Sequence, residues 1–208
     1  MSFADYAALT IHEVKNRLAA LAARADSRGD RDTVREALAA AHALTALLAC
    51  YKAENGWLGV DIGAHVPAEM VAELVGELAG SAEPGGGVEV VAAADAPDSV
   101  FFYDDALVRL VLGTAIHNAR RSAAQRVVVG ASADERWLKF TVSDDGPGYP
   151  AELLDAPVLE PGSVSDHGTG LGLTLARQVA ALHDHGGRHG GVVLENRNGA
   201  HFTLRLPR

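Results

Sequence analysis

Three short stretches of the chain carry residue types able to do chemistry. The first is His12-Glu13-Val14-Lys15-Asn16-Arg17-Leu18. A neutral imidazole is a nucleophile, and a carboxylate beside it, such as Glu13, can hold the proton on the far ring nitrogen and accept it during attack. Ile11, Val14 and Leu18 recur at helical spacing and predict a buried stripe, which turns His12 outward with Asn16 one turn further along its face. Taken alone, these residues fit an ordinary solvated helix face equally well. The second stretch is Val142-Ser143-Asp144-Asp145-Gly146-Pro147-Gly148-Tyr149-Pro150, directly after a predicted strand. Glycines let a ligand approach the backbone closely, and a carboxylate at a strand end can accept a hydrogen bond from an exocyclic amine such as that of adenine. A plain turn has the same composition. The third, His167-Gly168-Thr169-Gly170-Leu171-Gly172-Leu173, opens a predicted helix, whose first amides can receive phosphate oxygens. It lacks the Gly-Lys-Ser/Thr of a Walker A loop, and with leucine at 173 and no clear preceding strand it is a poor dinucleotide fingerprint.

The elements that must position these residues fall into two regions. Up to about Asn55 the chain is alanine-rich, free of proline and nearly without β-branched residues, which predicts helix. Apolar residues at Ala4, Ala7, Ile11, Val14, Leu18, Leu21 and Ala25 form one stripe, begun by a cap at Ser2. Ser27-Arg28-Gly29-Asp30 ends that helix; Asp30 or Thr33 caps the next, with Thr33 and Glu36 spaced as a capping box. The apolar face of the second helix is broader than one partner can cover, so pairing of two hairpins into a four-helix bundle is expected. Beyond Asn55-Gly56 short β-rich and helical runs alternate. Strands are predicted at 58–62, 88–92, 99–103, 126–131 and 137–143, with two more around the turn Asn196-Arg197-Asn198-Gly199. Helices are predicted at 67–79, from Asp104 or Asp105 to about Ser122, and from 172 to about His183. The result is an α/β sandwich, a mixed sheet with helices on one face. His183, Asp184, His185 and His189 surround Gly186-Gly187 and read as a helix end and turn rather than a metal site.

Composition narrows the partners. The 208 residues contain 18 Lys and Arg against 27 Asp and Glu, a formal charge of −9, with no basic run. Nucleic acid is therefore not expected as the main partner, since phosphate neutralisation drives such binding. The single cysteine, Cys50, cannot close an internal disulfide and fits a reducing compartment. The longest uncharged run, 37–51, is short of the roughly 18 residues a span needs, and the N-terminus lacks a signal-peptide pattern. A soluble, cytoplasmic protein without a membrane segment is the expectation.

Taken together and in order, these stretches resemble the catalytic core of bacterial sensor histidine kinases over nearly the whole chain. HEVKNRL looks like that family's histidine box, LVLGTAIHNARRS like its asparagine box, DDGPGYP like its first glycine box and HGTGLGL like its second. The closing HGGRHGGVVLENRNGAHFTLRLP is similar to its final strands. The resemblance implies an α+β chain: residues 1–55 a dimerising histidine-phosphotransfer hairpin, residues 56–208 a Bergerat-type ATP-binding α/β sandwich. It implies His12 as phospho-acceptor, Glu13 as its acid/base partner, and Asn16 as the residue orienting water for removal of phosphate from a partner's aspartate. It further implies Asn118 as a ligand of Mg²⁺, Arg121 as a phosphate contact and Asp144 as the reader of adenine, with Gly146 and Gly148 leaving room and Gly168, Gly170 and Gly172 packing along the triphosphate of ATP. The implied partners are a second copy of the chain, a response-regulator receiver domain and a cytosolic sensor or input protein, no sensor domain being expected ahead of the hairpin. The chain departs from the family pattern at Thr114, where another asparagine is usual, at Arg17, where proline is common, and in a short segment between the glycine boxes. Two other readings stay open: a histidine phosphotransferase relay whose ATP domain is inactive, and a Bergerat-type serine kinase, which leaves HEVKNRL unexplained.

Overall fold

The computed structural model describes residues 3–79, 88–155 and 170–208. The chain divides into two compact units, Met1–Leu58 and Gly59–Arg208. In the first, helix α1 (Phe3–Asp26) and helix α2 (Arg31–Glu54) form a hairpin. Gly29 takes the left-handed conformation that ends α1, with φ +70°. Asp30, not Thr33, caps α2. The Asp30 carboxylate accepts from the Thr33 N–H at 3.1 Å and from the Thr33 hydroxyl at 2.7 Å. Thr33 is already the third helical residue, so in place of the expected Thr33–Glu36 box it serves as Asp30's donor. The predicted cap Ser2 lies outside the described residues.

The fully buried residues of the hairpin are small: Ala22 and Ala25 of α1 and Ala37, Ala46, Ala49 and Cys50 of α2. Their size leaves the larger apolar side chains outside. Val14, placed on the buried stripe from its spacing, is exposed, as are Leu9, Leu21, Leu38 and Leu47; Ile11 and Leu18 are half-buried. One partner helix covers only the alanine side of so broad a face. The expectation that no helix could span a membrane also changes. By length and composition alone α2 is long and apolar enough, because its charges cluster at its ends and leave an 18-residue apolar window even though its uncharged run is shorter.

The second unit contains strand β1 (Gly63–His65), helix α3 (Pro67–Ala79), strands β2 (Glu89–Ala92) and β3 (Phe101–Tyr103), helix α4 (Asp105–Ser122), strands β4 (Arg126–Ala133) and β5 (Trp137–Asp144), helices α5 (Ala151–Asp155) and α6 (Leu171–Leu182), the short strands β6 (Asp184–His185) and β7 (Arg188–His189), and strands β8 (Gly191–Asn196) and β9 (Ala200–Pro207). The main sheet runs β2-β4-β5-β9-β8, with β2 and β4 parallel and the other pairs antiparallel. β1 pairs with β3 in a separate ribbon. The strand expected at 58–62 therefore starts later. The Trp57 and Leu58 amides still donate to the Lys52 carbonyl at the end of α2, and the Asp61 amide donates to the Asp104 carboxylate, so this backbone is not free to form a ladder.

Alternation along β5 buries Leu138, Phe140 and Val142 on the side that meets α4, whose Val108, Val111, Leu112 and Ile116 are buried with Leu175 and Val179 of α6. The period of two puts Asp144, at the strand's end, on that same helix-facing side. Asp104 caps α4 by accepting the Leu107 amide at 2.9 Å and uses its other oxygen on Asp61 at 2.8 Å. Its own amide donates to Nε2 of His183 at 3.1 Å, while Nδ1 of His183 donates to the Val179 carbonyl at 2.7 Å. These partners fix the neutral tautomer. His183 is 3% exposed, and burial pushes its pKa down against the opposing pull of the Val179 carbonyl.

Candidate functional site

Helix α4 is the spine of the site. Its amphipathic pattern buries Ile116 and Ala119 and leaves Asn118 and Arg121 exposed in its last two turns. Two glycines allow other segments to close on it. A Cβ on Gly172 would stand 2.5 Å from Thr114 Cγ2 and 3.5 Å from Asn118 Nδ2, so only glycine lets the start of α6 lie against these residues. A Cβ on Gly146 would stand 2.3 Å from the Ser122 carbonyl oxygen, so the loop after β5 rests on the end of the same helix. The α6 N-terminus is capped by Gly170 at φ +69° with no side-chain cap, the arrangement that leaves a helix start open to an anion. Asn118 thus stands beside a positive helix end. The Thr114 hydroxyl donates back to the Leu110 carbonyl at 2.9 Å, and its methyl faces Gly172.

Asp144 and Asp145 are adjacent but do different work. Asp145 accepts the amides of Ala124, Gln125 and Arg126 at 2.9–3.1 Å, which ties the loop after β5 to the turn between α4 and β4. Those amides, Gln125 foremost, hold its carboxyl below the usual range. Asp144 Oδ1 accepts from Gly146 at 2.9 Å and Ala200 at 3.2 Å. Among the described residues no donor engages Oδ2, which remains for an outside partner. Tyr149 beside it has its phenol pushed up to about 12, first by burial and then by the Asp144 charge.

The structure gathers Asn118, Arg121, Asp144, Gly146, Gly148, Gly170 and Gly172 in the second unit; Gly168 lies outside the described residues. His12, Glu13 and Asn16 lie exposed on α1 in the first unit, with Glu13 paired to Arg17 at 2.5 Å. Arg17 sits at i+4 where the family often has proline, and exposed pairs of this kind are weak. Sequence reasoning missed Asp145, Asn196 and Gly199. Asn196 bonds Tyr149 across 47 residues, and a Cβ on Gly199 would stand 1.9 Å from the Asp144 carbonyl oxygen. Among the described residues no three His, Cys, Asp or Glu side chains group as a metal site, and the histidines of 183–189 do not converge.

Residues 103–208 match the family of histidine kinase-, DNA gyrase B- and HSP90-like ATPases, half of the chain, and the chain belongs to that family. Its second unit has the corresponding Bergerat-type α/β fold. Sensor kinases are among the proteins the chain is similar to. It is 30% identical over 131 residues to the adaptive-response sensory kinase SasA of Synechococcus sp. (strain CC9311), 58% of this chain and 33% of that protein. It is 34% identical over 128 residues to the sensor histidine kinase GtrS of Pseudomonas aeruginosa, 59% of this chain and 25% of that protein. The chain spans a third or less of these relatives. The solved histidine kinase AdeS of Acinetobacter baumannii superposes with a TM-score of 0.61 at 17% identity, covering 94% of this chain and 97% of that one, a likeness of fold. In sequence pattern and fold the chain is similar to the catalytic core of sensor histidine kinases.

Proposed function

We propose that the chain is an ATP-dependent protein histidine kinase of two-component signalling, which phosphorylates His12 and passes the phosphoryl group to an aspartate of a response-regulator receiver domain. The observation that carries this reading is the closure of both glycine motifs on α4: Gly172 against Thr114 and Asn118, and Gly146 against Ser122. Asp144 Oδ2 accepts the adenine amine, the start of α6 receives phosphate oxygens, and Arg121 neutralises further phosphate charge. The exposed side-chain amide of Asn118, beside that helix start, would offer its oxygen to a hard cation that takes most of its ligands from phosphates and water, and Mg²⁺ bound there would neutralise charge on the phosphates. Nδ1 or Nε2 of neutral His12 attacks the γ-phosphorus in line. The N–P bond forms as the bond from phosphorus to the bridging oxygen breaks, ADP departs, and Glu13 takes the imidazole proton. Asn16, one turn along, positions water when phosphate is removed from the regulator.

The exposed Leu9, Val14, Leu21, Leu38 and Leu47 support pairing of two hairpins into a four-helix bundle. The net charge and the lone cysteine support a cytoplasmic site of action, with a cytosolic sensor or input partner. A second reading, a phosphotransferase relay, is favoured by one observation: Thr114, whose hydroxyl donates to the Leu110 carbonyl, stands where the family usually has an asparagine and supplies no side-chain amide there. Incubation with γ-labelled ATP and Mg²⁺ followed by acid treatment separates the readings. Acid-labile label supports the histidine kinase. Acid-stable label supports a hydroxyl substrate, and no label supports the relay.

A further inference from the structure

The turn between β8 and β9 meets the Asp144 loop in a way that none of the motifs announces. Asn196, the last residue of β8, reaches across to Tyr149. Its Oδ1 accepts the Tyr149 N–H at 2.8 Å and its Nδ2 donates to the Tyr149 carbonyl at 3.0 Å. A side-chain amide thus satisfies both backbone groups of one residue, as a neighbouring strand would. Gly148, at φ +84°, lies so close that a Cβ there would stand 2.7 Å from Asn196 Cγ. On the other side of the turn, Ala200 donates to Asp144 Oδ1, and Gly146 within the loop donates to the same oxygen. Both donors that fix the Asp144 carboxylate therefore belong to the two segments that Asn196 ties together. Asn196 itself is exposed, so truncating it opens no cavity in the core.

We infer that Asn196 is a positioning residue for base selection: by clamping residues 146–149 to the β8–β9 turn it holds the Asp144 carboxylate in the one rotamer that presents Oδ2 to an adenine amine. The inference rests on the reading of Asp144 as the adenine acceptor. Without the clamp, the loop and the turn move independently, the two Oδ1 donors part, and the carboxylate must be ordered by the nucleotide itself, which lowers affinity for the base that needs it. Guanine, which presents a carbonyl oxygen at the corresponding position, gains nothing from the carboxylate, so its binding changes little.

The test is calorimetric titration of the full chain with ATP and with GTP, in wild type, Asn196→Ala, Asn196→Ser, Asp144→Ala and the double variant, with melting followed by circular dichroism in each. Loss of two neutral hydrogen bonds predicts about a tenfold fall in the ATP-to-GTP affinity ratio for Asn196→Ala. Because Asn196 acts through Asp144, the same substitution in the Asp144→Ala background leaves the ratio unchanged. A purely structural role would lower the melting temperature and move both nucleotides together. An unchanged ratio in folded Asn196→Ala or Asn196→Ser, or an equal fall in the Asp144→Ala background, overturns the inference while leaving the nucleotide site standing. A wild-type protein that binds ATP and GTP alike overturns the Asp144 reading, and the inference with it.

Discussion

Asp144→Asn is the sharpest perturbation of the proposed nucleotide site, because the two oxygens of this carboxylate are held differently. Oδ1 accepts from the Gly146 and Ala200 amides, and an asparagine oxygen can keep both bonds. The amide nitrogen then occupies the place of Oδ2 and presents hydrogens to the adenine amine, donor against donor. The fold loses little and the base contact is lost. A hydrogen bond to a charged acceptor is worth about 1.5–3 kcal/mol, so ATP affinity falls roughly ten- to hundredfold. Guanine offers an acceptor at the same position, so GTP binds the variant no worse than wild type, and the preference narrows or inverts. Titration calorimetry with both nucleotides in the presence of Mg²⁺, beside a thermal melt of each protein, reads both halves. Unchanged ATP affinity in a folded variant would remove Asp144 from the site, and an equal loss for ATP and GTP would show that the substitution disturbs the loop rather than the base contact.

Other consequences follow from the same geometry. His183 is neutral and buried when folded, while the unfolded chain takes up its proton near the ordinary value of 6.5, so wild-type stability falls as pH drops below about 6.5. His183→Leu orphans the Asp104 amide and the Val179 carbonyl, costs about 2–3 kcal/mol at pH 7.5, and flattens that acid dependence; parallel urea curves at pH 7.5 and 5.5 for the two proteins would contradict it. Gly199→Ala drives a methyl into the Asp144 carbonyl and lowers the melting temperature by several degrees, whereas at Gly186, φ +60° with open space around it, alanine pays only about 1 kcal/mol of left-handed strain; equal melting shifts would refute the contact. Sedimentation at micromolar concentration finds a dimer that Leu38→Glu with Leu47→Glu dissociates, and a monomeric wild-type protein would sink the bundle.

How much of this was legible beforehand depends on how local each signal is. The long helices α1, α2, α4 and α6 and the strands β4 and β5 announce themselves by period, because one face of each is buried and the other wet. Asp144 and the glycines at 146, 148, 170 and 172 announce themselves as compact motifs. Asn196 and Gly199 do not. Their partners lie in the Asp144 loop, at 47 residues' separation for the bonded pair Asn196 and Tyr149, and nothing local in ENRNGA distinguishes a clamp from an ordinary hairpin turn. Asp145 was hidden for another reason: beside Asp144 it is chemically identical, and only the folded loop, in which Asp145 accepts the amides of 124–126 while Asp144 accepts those of Gly146 and Ala200, tells the two apart. The hairpin stripe misled at Val14 and Leu21 because spacing shows which residues share a face but not how much of that face a single partner covers. The shift of the first strand from 58–62 to β1 reflects backbone groups at 57, 58 and 61 already committed elsewhere, which no propensity scale registers.

The central claim is that His12, exposed on α1 beside Glu13, carries the phosphoryl group. The direct measurement is incubation of wild type and His12→Gln with γ-labelled ATP and Mg²⁺, followed by separation under mild alkaline conditions and mapping of the labelled peptide. Glutamine keeps the size and polarity of an exposed side chain but cannot form a phosphoramidate, so folding and ATP binding persist while label is lost. Glu13→Gln slows labelling without abolishing it, since general-base help supplies about 10²–10⁴-fold rather than the whole rate. Acid-labile label in the wild type, mapped to His12 and absent from His12→Gln, is the predicted result; a His12→Gln protein that still takes up phosphate contradicts the account.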